Sequence, residues 1–163
     1  MNDKKPVAAF VIWVDADACP REARELLYRV AVRRKLPVIL VANTYMTIPE
    51  LENVTFRLVP GDFNAADDHI VEHSAKSDLA ITGDIPLASR LIERGVLVMN
   101  TRGEELTPAS IGERLAMRNL MEGLRSAGIQ TGGPKEFDRG DLQRFANALD
   151  RVLTKRLKDA SGA

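Results

Sequence analysis

Short runs of consecutive apolar residues recur in the first two thirds of the chain. Four of these runs lie at 8–14, 37–42, 79–82 and 96–100. Continuous apolar runs of this length are typical of strands that are covered on both faces, as in a parallel sheet. A fifth segment, 54–59, alternates apolar and polar positions, which predicts an edge strand. The pattern therefore predicts a mainly parallel sheet.

Helical patterns separate these predicted strands. Within 21–35, apolar residues recur at three- and four-residue spacing on one face. Further helices are predicted from about Asn64 to 76 and over 86–95, where a glycine supplies the stop signal. Strands that alternate with helices indicate an α/β sandwich with helices on both faces of the sheet.

The last third of the chain has two long helical patterns. A suitable cap at Thr107, a proline in the first turn and a helix-stop glycine at Gly128 predict one long helix. A loop rich in glycine and proline follows at 129–140. The apolar stripe from Leu142 to Leu153 then predicts a final helix.

Length and charge narrow the class of protein. A chain of 163 residues can form one domain with its own core. We expect that domain to span 1–158, with the helices of about 107–158 packed on the α/β body and a frayed tail at 159–163. Because 23 basic side chains balance 23 acidic ones, the net charge does not indicate a nucleic-acid-binding protein.

The cysteine content and the apolar segments bear on the compartment. The single cysteine, Cys19, excludes an internal disulfide and fits a reducing environment. The N-terminal apolar run is short and ends in aspartates rather than in a cleavage site, and no other run is long enough to cross a bilayer. We therefore expect a cytoplasmic protein with no membrane segment.

Aspartates occur where the predicted strands end or the next helix begins. The carboxyl ends of parallel strands meet at one edge of the sheet, so we expect these side chains to converge there. Converging carboxylates raise each other's pKa unless a cation compensates, and their oxygens suit Mg²⁺ or Mn²⁺. The chemistry indicated is metal-assisted attack of water on a phosphoester. The aspartates are Asp15, Asp17, Asp62, Asp67, Asp68 and Asp84.

A structural interpretation competes for each aspartate taken singly. Aspartate is a preferred N-cap residue, it is favourable beside the positive end of the helix dipole, and each of these residues precedes or opens a helix. Only their convergence on one cleft favours a metal site over helix capping.

Three other interpretations concern single motifs. Asp15 and Asp17 after an apolar strand also resemble the start of a haloacid-dehalogenase-type phosphatase with an aspartate nucleophile, although no lysine is evident to bind the phosphate. His69 and His73, four residues apart on a predicted helix, have the spacing of a zinc site, but exposed histidines are commoner. Cys19 at a helix start has the position of a nucleophile, and we expect it instead to be a small packing residue.

Five motifs resemble, in order and across most of the chain, the bacterial YaiI/YqxD family. That family is related to PIN-like domains, a fold that many Mg²⁺- or Mn²⁺-dependent ribonucleases use. The resemblance implies a PIN-like three-layer α/β sandwich, hydrolysis of a nucleic-acid phosphodiester with RNA the favoured substrate, and pairing into a homodimer. The motifs are VDADACPRE, GDFNAADDHIVEH, ITGDIPLASRLIERG, LVMNTRGE and TGGPKEFDRGDLQRFANALDR.

The resemblance to PIN-type nucleases also implies site residues. Asp15 matches the acid that ends the first strand, and Asp84 matches the acid of a Thr-x-Asp motif. PIN domains usually carry a glutamate on the intervening helix, where this chain has Asp67 or Asp68. A further metal position falls on Asn100, whose carbonyl oxygen could coordinate the ion.

These considerations assign catalysis to Asp15, Asp84 and Asp17, with Asp17 positioning a second ion or exchanging a proton. A non-catalytic module, whose acidic edge binds a metal structurally or docks a basic partner, is the alternative from another class. The basic residues expected to meet a phosphate backbone are Arg21, Arg90, Arg102 and Lys135.

Overall fold

A six-stranded sheet with helices on both faces forms the centre of the molecule. The structure is a computed structural model that describes residues 9–62, 64–132 and 135–161. The strands are β1 (Ile12–Asp15), β2 (Val38–Ala42), β3 (Val54–Leu58), β4 (Leu79–Ile81), β5 (Leu97–Met99) and β6 (Glu105–Leu106). The helices are α1 (Arg21–Arg34), α2 (Ala65–His73), α3 (Ile85–Glu93), α4 (Pro108–Ser126) and α5 (Arg139–Ala160), and a 3-10 turn (Ala16–Ala18) follows β1.

The strand order places the start of the chain in the middle of the sheet. The order is β3-β2-β1-β4-β5-β6, in which β1 to β5 run parallel and β6 runs antiparallel to β5. The chain first moves outward from β1 to β3 and then returns to the other side of β1 as β4. Beside such a reversal the loops after two neighbouring strands diverge and leave a crevice, which is where open α/β sheets bind ligands. The mainly parallel α/β prediction and the edge position of β3 are confirmed.

Alternating side chains of the strands build one core on each face. Ile12 and Val14 of β1 pack in the core shared with α1 and α5. Trp13, between them in sequence, packs on the opposite face with residues of α2, α3 and α4. Since both faces are covered, β1, β2 and β4 are buried throughout their length, which explains why the sequence there is almost continuously apolar. The result is the three-layer sandwich that the sequence predicts.

The two C-terminal helices differ in how deeply they pack. Helix α5 inserts Phe145 and Leu149 into the core of its face, where both are almost completely buried. Helix α4 packs against α3, and its one buried side chain within the described part of the chain is Ile111. Met117 and Leu120 of α4 are more than half exposed. Helix α5 is thus part of a core of the sheet along much of its length, whereas α4, among the described residues, contributes only Ile111 to the core on the other face.

The ends of several elements differ from the sequence predictions. Helix α2 ends at His73 rather than 76, because the Ala75 amide donates to Asp78 Oδ2 at 2.9 Å instead of continuing the helix. Helix α5 begins at Arg139, inside the predicted loop, where Asp138 and Asp141 form a reciprocal capping box. It continues to Ala160, two residues into the segment expected to fray. The sequence did not predict β6.

Asp78 connects β1 to the segment before β4 at the amino edge of the sheet. It is 5% exposed, and its carboxylate accepts hydrogen bonds from the Val11 amide at 2.9 Å, the Trp13 indole N–H at 3.0 Å and the Ala75 amide at 2.9 Å. Three donors satisfy this buried carboxylate, so its role is structural. It lies at the opposite edge of the sheet from the other aspartates discussed above.

None of the helices in the described ranges combines the length and the apolar character that a membrane span requires.

Candidate metal and phosphate site

A cavity of about 440 Å³ lies at the carboxyl edge of the sheet, beside the chain reversal between β1 and β4. Four aspartates contribute to its lining, from the end of β1, the turn after it, the first turn of α2 and the loop after β4. The structure therefore brings together side chains that are far apart in sequence, as predicted. They are Asp15, Asp17, Asp67 and Asp84.

Thr82 connects the two aspartates of the neighbouring strands. Its hydroxyl group donates to Asp15 Oδ2 at 2.9 Å and accepts a hydrogen bond from the Asp84 amide at 3.0 Å. Asp15 is 7% exposed, so this hydrogen bond partly compensates for the loss of water around its carboxylate. The threonine of the Thr-x-Asp motif thus orients one acid through its side chain and the other through its backbone.

Helix capping explains part of the position of Asp84. Its Oδ1 accepts from the Leu87 amide at 3.0 Å, which makes Asp84 the N-cap of α3. Within the described residues its Oδ2 has no hydrogen-bond partner. The capping interpretation is therefore correct for one oxygen of Asp84, and the second oxygen can serve a ligand. Asp15, by contrast, makes no capping hydrogen bond to the turn that follows it.

Asp17 and Asn43 tie the loops around the cavity together. Asp17 Oδ2 accepts a hydrogen bond from the backbone amide of Asn43 at 2.8 Å, and its Oδ1 accepts one from the Thr44 hydroxyl group at 3.3 Å. The side-chain oxygen of Asn43 accepts from the Ala66 amide in the first turn of α2, at 3.2 Å. This chain of hydrogen bonds links the ends of β1 and β2 to α2. It therefore fixes the helix that carries Asp67.

Burial and mutual repulsion raise the pKa of two cavity carboxyls. Loss of solvent raises the pKa of Asp15 to about 6, and the negative charges of Asp84 and Asp17 add to the effect while the Thr82 hydrogen bond opposes it. Loss of solvent and the charges of Asp84 and Asp15 raise the pKa of Asp67 to about 7. Both carboxyls therefore keep a proton to higher pH than a free aspartate does, and a bound cation would supply the same compensation for their repulsion.

The donor set fits a hydrated divalent cation. Carboxylate oxygens are the ligands that Mg²⁺ and Mn²⁺ prefer. Among the described residues, no three carboxylate, histidine or cysteine side chains lie close enough to hold one ion together as they stand. Mg²⁺ in proteins usually keeps several waters and uses one or two carboxylates plus substrate phosphate, so a preassembled three-ligand group is not required.

Two of the aspartates expected at this edge of the sheet, Asp68 and Asp62, do not line the cavity. Asp68 faces away and forms an exposed ion pair with Arg90 Nη1 at 2.7 Å. Asp62 accepts a hydrogen bond from the backbone amide of Asn64 at 3.0 Å and so stabilises the turn that leads into α2. Of Asp67 and Asp68, between which the sequence leaves the choice open, only Asp67 lines the cavity.

Asn100, predicted as a metal ligand, instead holds the turn between β5 and β6. Its Oδ1 accepts from the amides of Arg102 and Glu104, both at 3.0 Å. Gly103 completes the turn with φ +81°, and a Cβ at that position would lie 2.5 Å from the Arg144 carbonyl oxygen of α5. Since two backbone donors already occupy the Asn100 oxygen, the candidate site does not include it.

The four basic residues predicted to bind phosphate lie outside the lining of the cavity. Arg21 pairs with Glu25 on the surface of α1, and Arg90 pairs with Asp68. Arg102 donates to the Lys135 carbonyl oxygen at 3.0 Å, and the Lys135 ammonium lies 3.1 Å from Asp138, the N-cap of α5. None of these contacts directs the four side chains to the cavity. Part of the glycine-rich motif, Gly133 and Pro134, lies outside the described residues.

Sequence reasoning missed one basic residue of the cavity. Arg118 of α4 contributes to the lining, together with Asn43, Thr44 and Asn64. No local pattern marks Arg118, because it lies in the middle of a charged helix far along the chain from the aspartates. The two residues after β2 could have been found, since side chains at the carboxyl ends of parallel strands meet at the same edge.

The histidine pair does not line the cavity and is not arranged for zinc. The rings of His69 and His73 stack with their centroids 4.0 Å apart, and His69 Nε2 lies 3.1 Å from Arg57 Nη1, which donates to it. Burial, His73 and Arg57 lower the pKa of His69. An arginine bonded to the nitrogen that a metal would need opposes zinc binding.

The two remaining alternatives are also disfavoured. Burial raises the pKa of the Cys19 thiol to about 12, which keeps it protonated and unreactive, as a packing residue should be. A phosphatase of the haloacid-dehalogenase type needs a lysine beside its nucleophilic aspartate. Among the described residues no lysine lines the cavity.

Comparison with known proteins gives the chain a family. A UPF0178 protein of Dechloromonas aromatica is 53% identical over 144 residues, which is 88% of this chain and 96% of that relative. UPF0178 proteins of Bordetella petrii and Photobacterium profundum are 51% and 50% identical, over 87% and 90% of this chain and 95% and 98% of the relatives. These names state no activity. No solved structure gives a significant match.

The family profile described as "Uncharacterized BCR, YaiI/YqxD family" matches residues 13–155, from β1 through most of α5. The match includes all four aspartates of the cavity. The chain therefore belongs to the YaiI/YqxD family.

Proposed function

We propose that this chain is a phosphodiesterase that acts on nucleic acid, with RNA the favoured substrate, and that uses Mg²⁺ or Mn²⁺. The observation that supports this most is the convergence of Asp15, Asp67 and Asp84 on one cavity at the chain reversal of the sheet. Repulsion among these carboxylates is a cost that a divalent cation would relieve. The resemblance to PIN-type ribonucleases suggests the substrate, since fold class alone does not establish function.

The residues divide into ligands and groups that position them. Asp15 and Asp84 would hold the ion. Thr82 keeps these two residues in position relative to each other by its hydrogen bonds to both. Asp67 would complete the site from α2 or orient a water. The ion, when bound, supplies Lewis-acid activation of water and neutralises charge on the phosphate.

Asp17 has a different position from the other three aspartates. It is exposed, and its hydrogen bonds to Asn43 and Thr44 hold the loops after β1 and β2 together. We assign to it the exchange of a proton with solvent or with the leaving group, since an exposed carboxylate at the cavity rim can reach both. Positioning a second ion is the other role that its location allows.

The test is a calorimetric titration of Mn²⁺ into the metal-free wild-type protein and into Asp67→Asn and Asp68→Asn. These two residues are adjacent in sequence, but only Asp67 lines the cavity, so they form a matched pair. We expect Asp67→Asn to weaken Mn²⁺ binding by about tenfold or more and Asp68→Asn to change it by less than about twofold. Equal effects of the two substitutions would place the ion elsewhere, and absence of binding to the wild type would remove the main support for the proposal.

Hydrolysis then separates an enzyme from a non-catalytic metal module. Mn²⁺-dependent cleavage of a mixed RNA should be lost in both Asp15→Asn and Asp84→Asn, with circular dichroism confirming that both variants fold. Cleavage that survives both substitutions would contradict the assignment of the metal site to Asp15 and Asp84. A wild-type protein that binds Mn²⁺ but cleaves neither RNA nor single-stranded DNA would favour the non-catalytic module. A covalent aspartyl phosphate would identify a phosphatase instead.

A further inference from the structure

One guanidinium group reaches the acidic cavity from helix α4. Arg118 contributes to the same lining as Asp15, Asp67 and Asp84, and its side chain is 40% exposed. Among the described residues, no other arginine or lysine lines this cavity. Within the described part of the chain, one positively charged side chain therefore lies beside four carboxylates. Its hydrogen-bond partners show whether it is available to a ligand.

Arg118 does not pair with any of the cavity aspartates. Its Nη1 donates to Glu122 Oε2 at 2.8 Å, one turn further along α4, and contacts Asn119 Oδ1 at 3.4 Å. Exposed ion pairs between residues four apart on a helix are weak. Glu122 therefore holds the guanidinium at the cavity only weakly. An anion that binds the guanidinium more strongly could displace Glu122.

We propose that Arg118 binds the anionic phosphate of the substrate, and that Glu122 holds the guanidinium until the phosphate displaces it. The inference rests on the proposed function, because it needs a phosphate-containing substrate in this cavity. An arginine presents two parallel N–H donors that match two phosphate oxygens, which a lysine cannot do. In a cavity with four carboxylates, a polyanion needs such a cation besides any metal ion to bind.

The chain offers a matched control on the same helix. Arg114 lies one turn before Arg118 and also pairs with a glutamate, Glu104 of the turn before β6, at 2.6 Å, but it does not line the cavity. Replacing either arginine by alanine removes one positive charge from α4. Any difference between the two variants therefore reports position and not net charge.

The experiment measures binding of a short fluorescein-labelled oligouridylate by fluorescence anisotropy, in the presence of Mn²⁺, with strand integrity checked on a gel. We expect Arg118→Ala to weaken binding about tenfold and Arg118→Lys to weaken it less. We expect Glu122→Gln to strengthen binding by about two- to threefold, because a competitor for the guanidinium is removed. Arg114→Ala should differ from wild type by less than about twofold.

Calorimetry with Mn²⁺ on the same variants separates the failure of this inference from that of the proposed function. Removing a positive charge from the cavity should leave Mn²⁺ affinity unchanged or slightly higher in Arg118→Ala, so only the binding of the oligonucleotide should be weakened. A merely structural role for the pair would weaken oligouridylate binding in both Arg118→Ala and Glu122→Gln.

Each remaining outcome decides one of the two claims. If Arg118→Ala binds the oligonucleotide as well as Arg114→Ala does, the inference is wrong and the proposed function stands. A wild-type protein that binds Mn²⁺ but not oligouridylate also overturns the inference. A wild-type protein that binds no Mn²⁺ overturns the proposed function, and the inference with it.

Discussion

The Thr82 hydroxyl group donates a hydrogen bond to Asp15 Oδ2 at 2.9 Å, across 67 positions of sequence. The same hydroxyl accepts from the backbone amide of Asp84. One small side chain therefore contacts two aspartates, one at the end of β1 and one in the loop after the adjacent strand β4. Loss of the Thr82 hydroxyl group should therefore affect the positions of both Asp15 and Asp84.

Thr82→Val tests this relationship by replacing the hydroxyl group with a methyl group of similar volume. We expect the pKa of Asp15 to rise further, because the Thr82 hydrogen bond lowers it, and Mn²⁺ affinity at neutral pH to fall. Loss of the two hydrogen bonds should also cost about 1–2 kcal/mol of unfolding free energy, measured in urea. Thr82→Ser keeps the hydroxyl and should retain Mn²⁺ binding. Unchanged affinity in Thr82→Val would mean that Asp15 needs no orientation by Thr82.

Mn²⁺ affinity should increase with pH. The pKa values of Asp15 and Asp67 are raised to about 6 and about 7, so protons compete with the ion up to those values. We expect affinity at about pH 8 to exceed that at about pH 5.5 by about tenfold or more, measured by calorimetry. In Asp67→Asn the increase should level off near pH 6, because Asp15 alone then titrates. Affinity that is constant across this range would argue against ligation by these two residues.

Asp78→Ala should destabilise the fold without affecting Mn²⁺ binding. The substitution leaves the amides of Val11 and Ala75 and the Trp13 indole N–H without their acceptor, at a cost of about 3 kcal/mol. Trp13 is the single tryptophan of the chain, so its fluorescence reports urea unfolding directly. Because Asp78 lies at the amino edge of the sheet, Mn²⁺ titrations of the folded variant should match the wild type. A cost below about 1 kcal/mol would contradict this structural role.

Cys19→Ala should retain Mn²⁺ binding and any hydrolytic activity. Burial raises the pKa of the Cys19 thiol to about 12, so the nucleophilic thiolate is absent at neutral pH. Reaction with a thiol reagent should therefore be about a hundredfold slower in the native protein than in urea. Rapid modification of the native protein, or activity lost in a folded Cys19→Ala variant, would assign the thiol a functional role.

The sequence predicted the fold where burial dictates composition. Strands covered on both faces are apolar at every position, so β1, β2, β4 and β5 were visible as continuous runs. Strand β6 consists of Glu105 and Leu106 alone, which is too short for any periodicity. The turn held by Asn100 and Gly103 brings those two residues beside β5. That contact depends on tertiary structure and has no local signature.

The candidate site was partly predictable for a related reason. Asp15 and Asp84 follow strands, so topology alone brings them together. The choice between Asp67 and Asp68 depends on the rotation of α2, which packing of Ala66, Ile70 and Val71 against the sheet decides. Adjacent residues on a helix point about 100° apart, so only this packing distinguishes a cavity carboxylate from a surface one. The position of Arg118 depends on how α4 packs against α3, which no sequence pattern specifies.

The position of α5 has a consequence for biosynthesis. Phe145 and Leu149 fill the same core as Leu27 of α1 and Val14 of β1, although they are translated more than a hundred residues later. During translation this face of the sheet is therefore covered only by α1 until α5 leaves the ribosome, while the opposite face can already close with α2, α3 and α4. Release of a chain truncated before α5 would present an open apolar surface to chaperones and proteases.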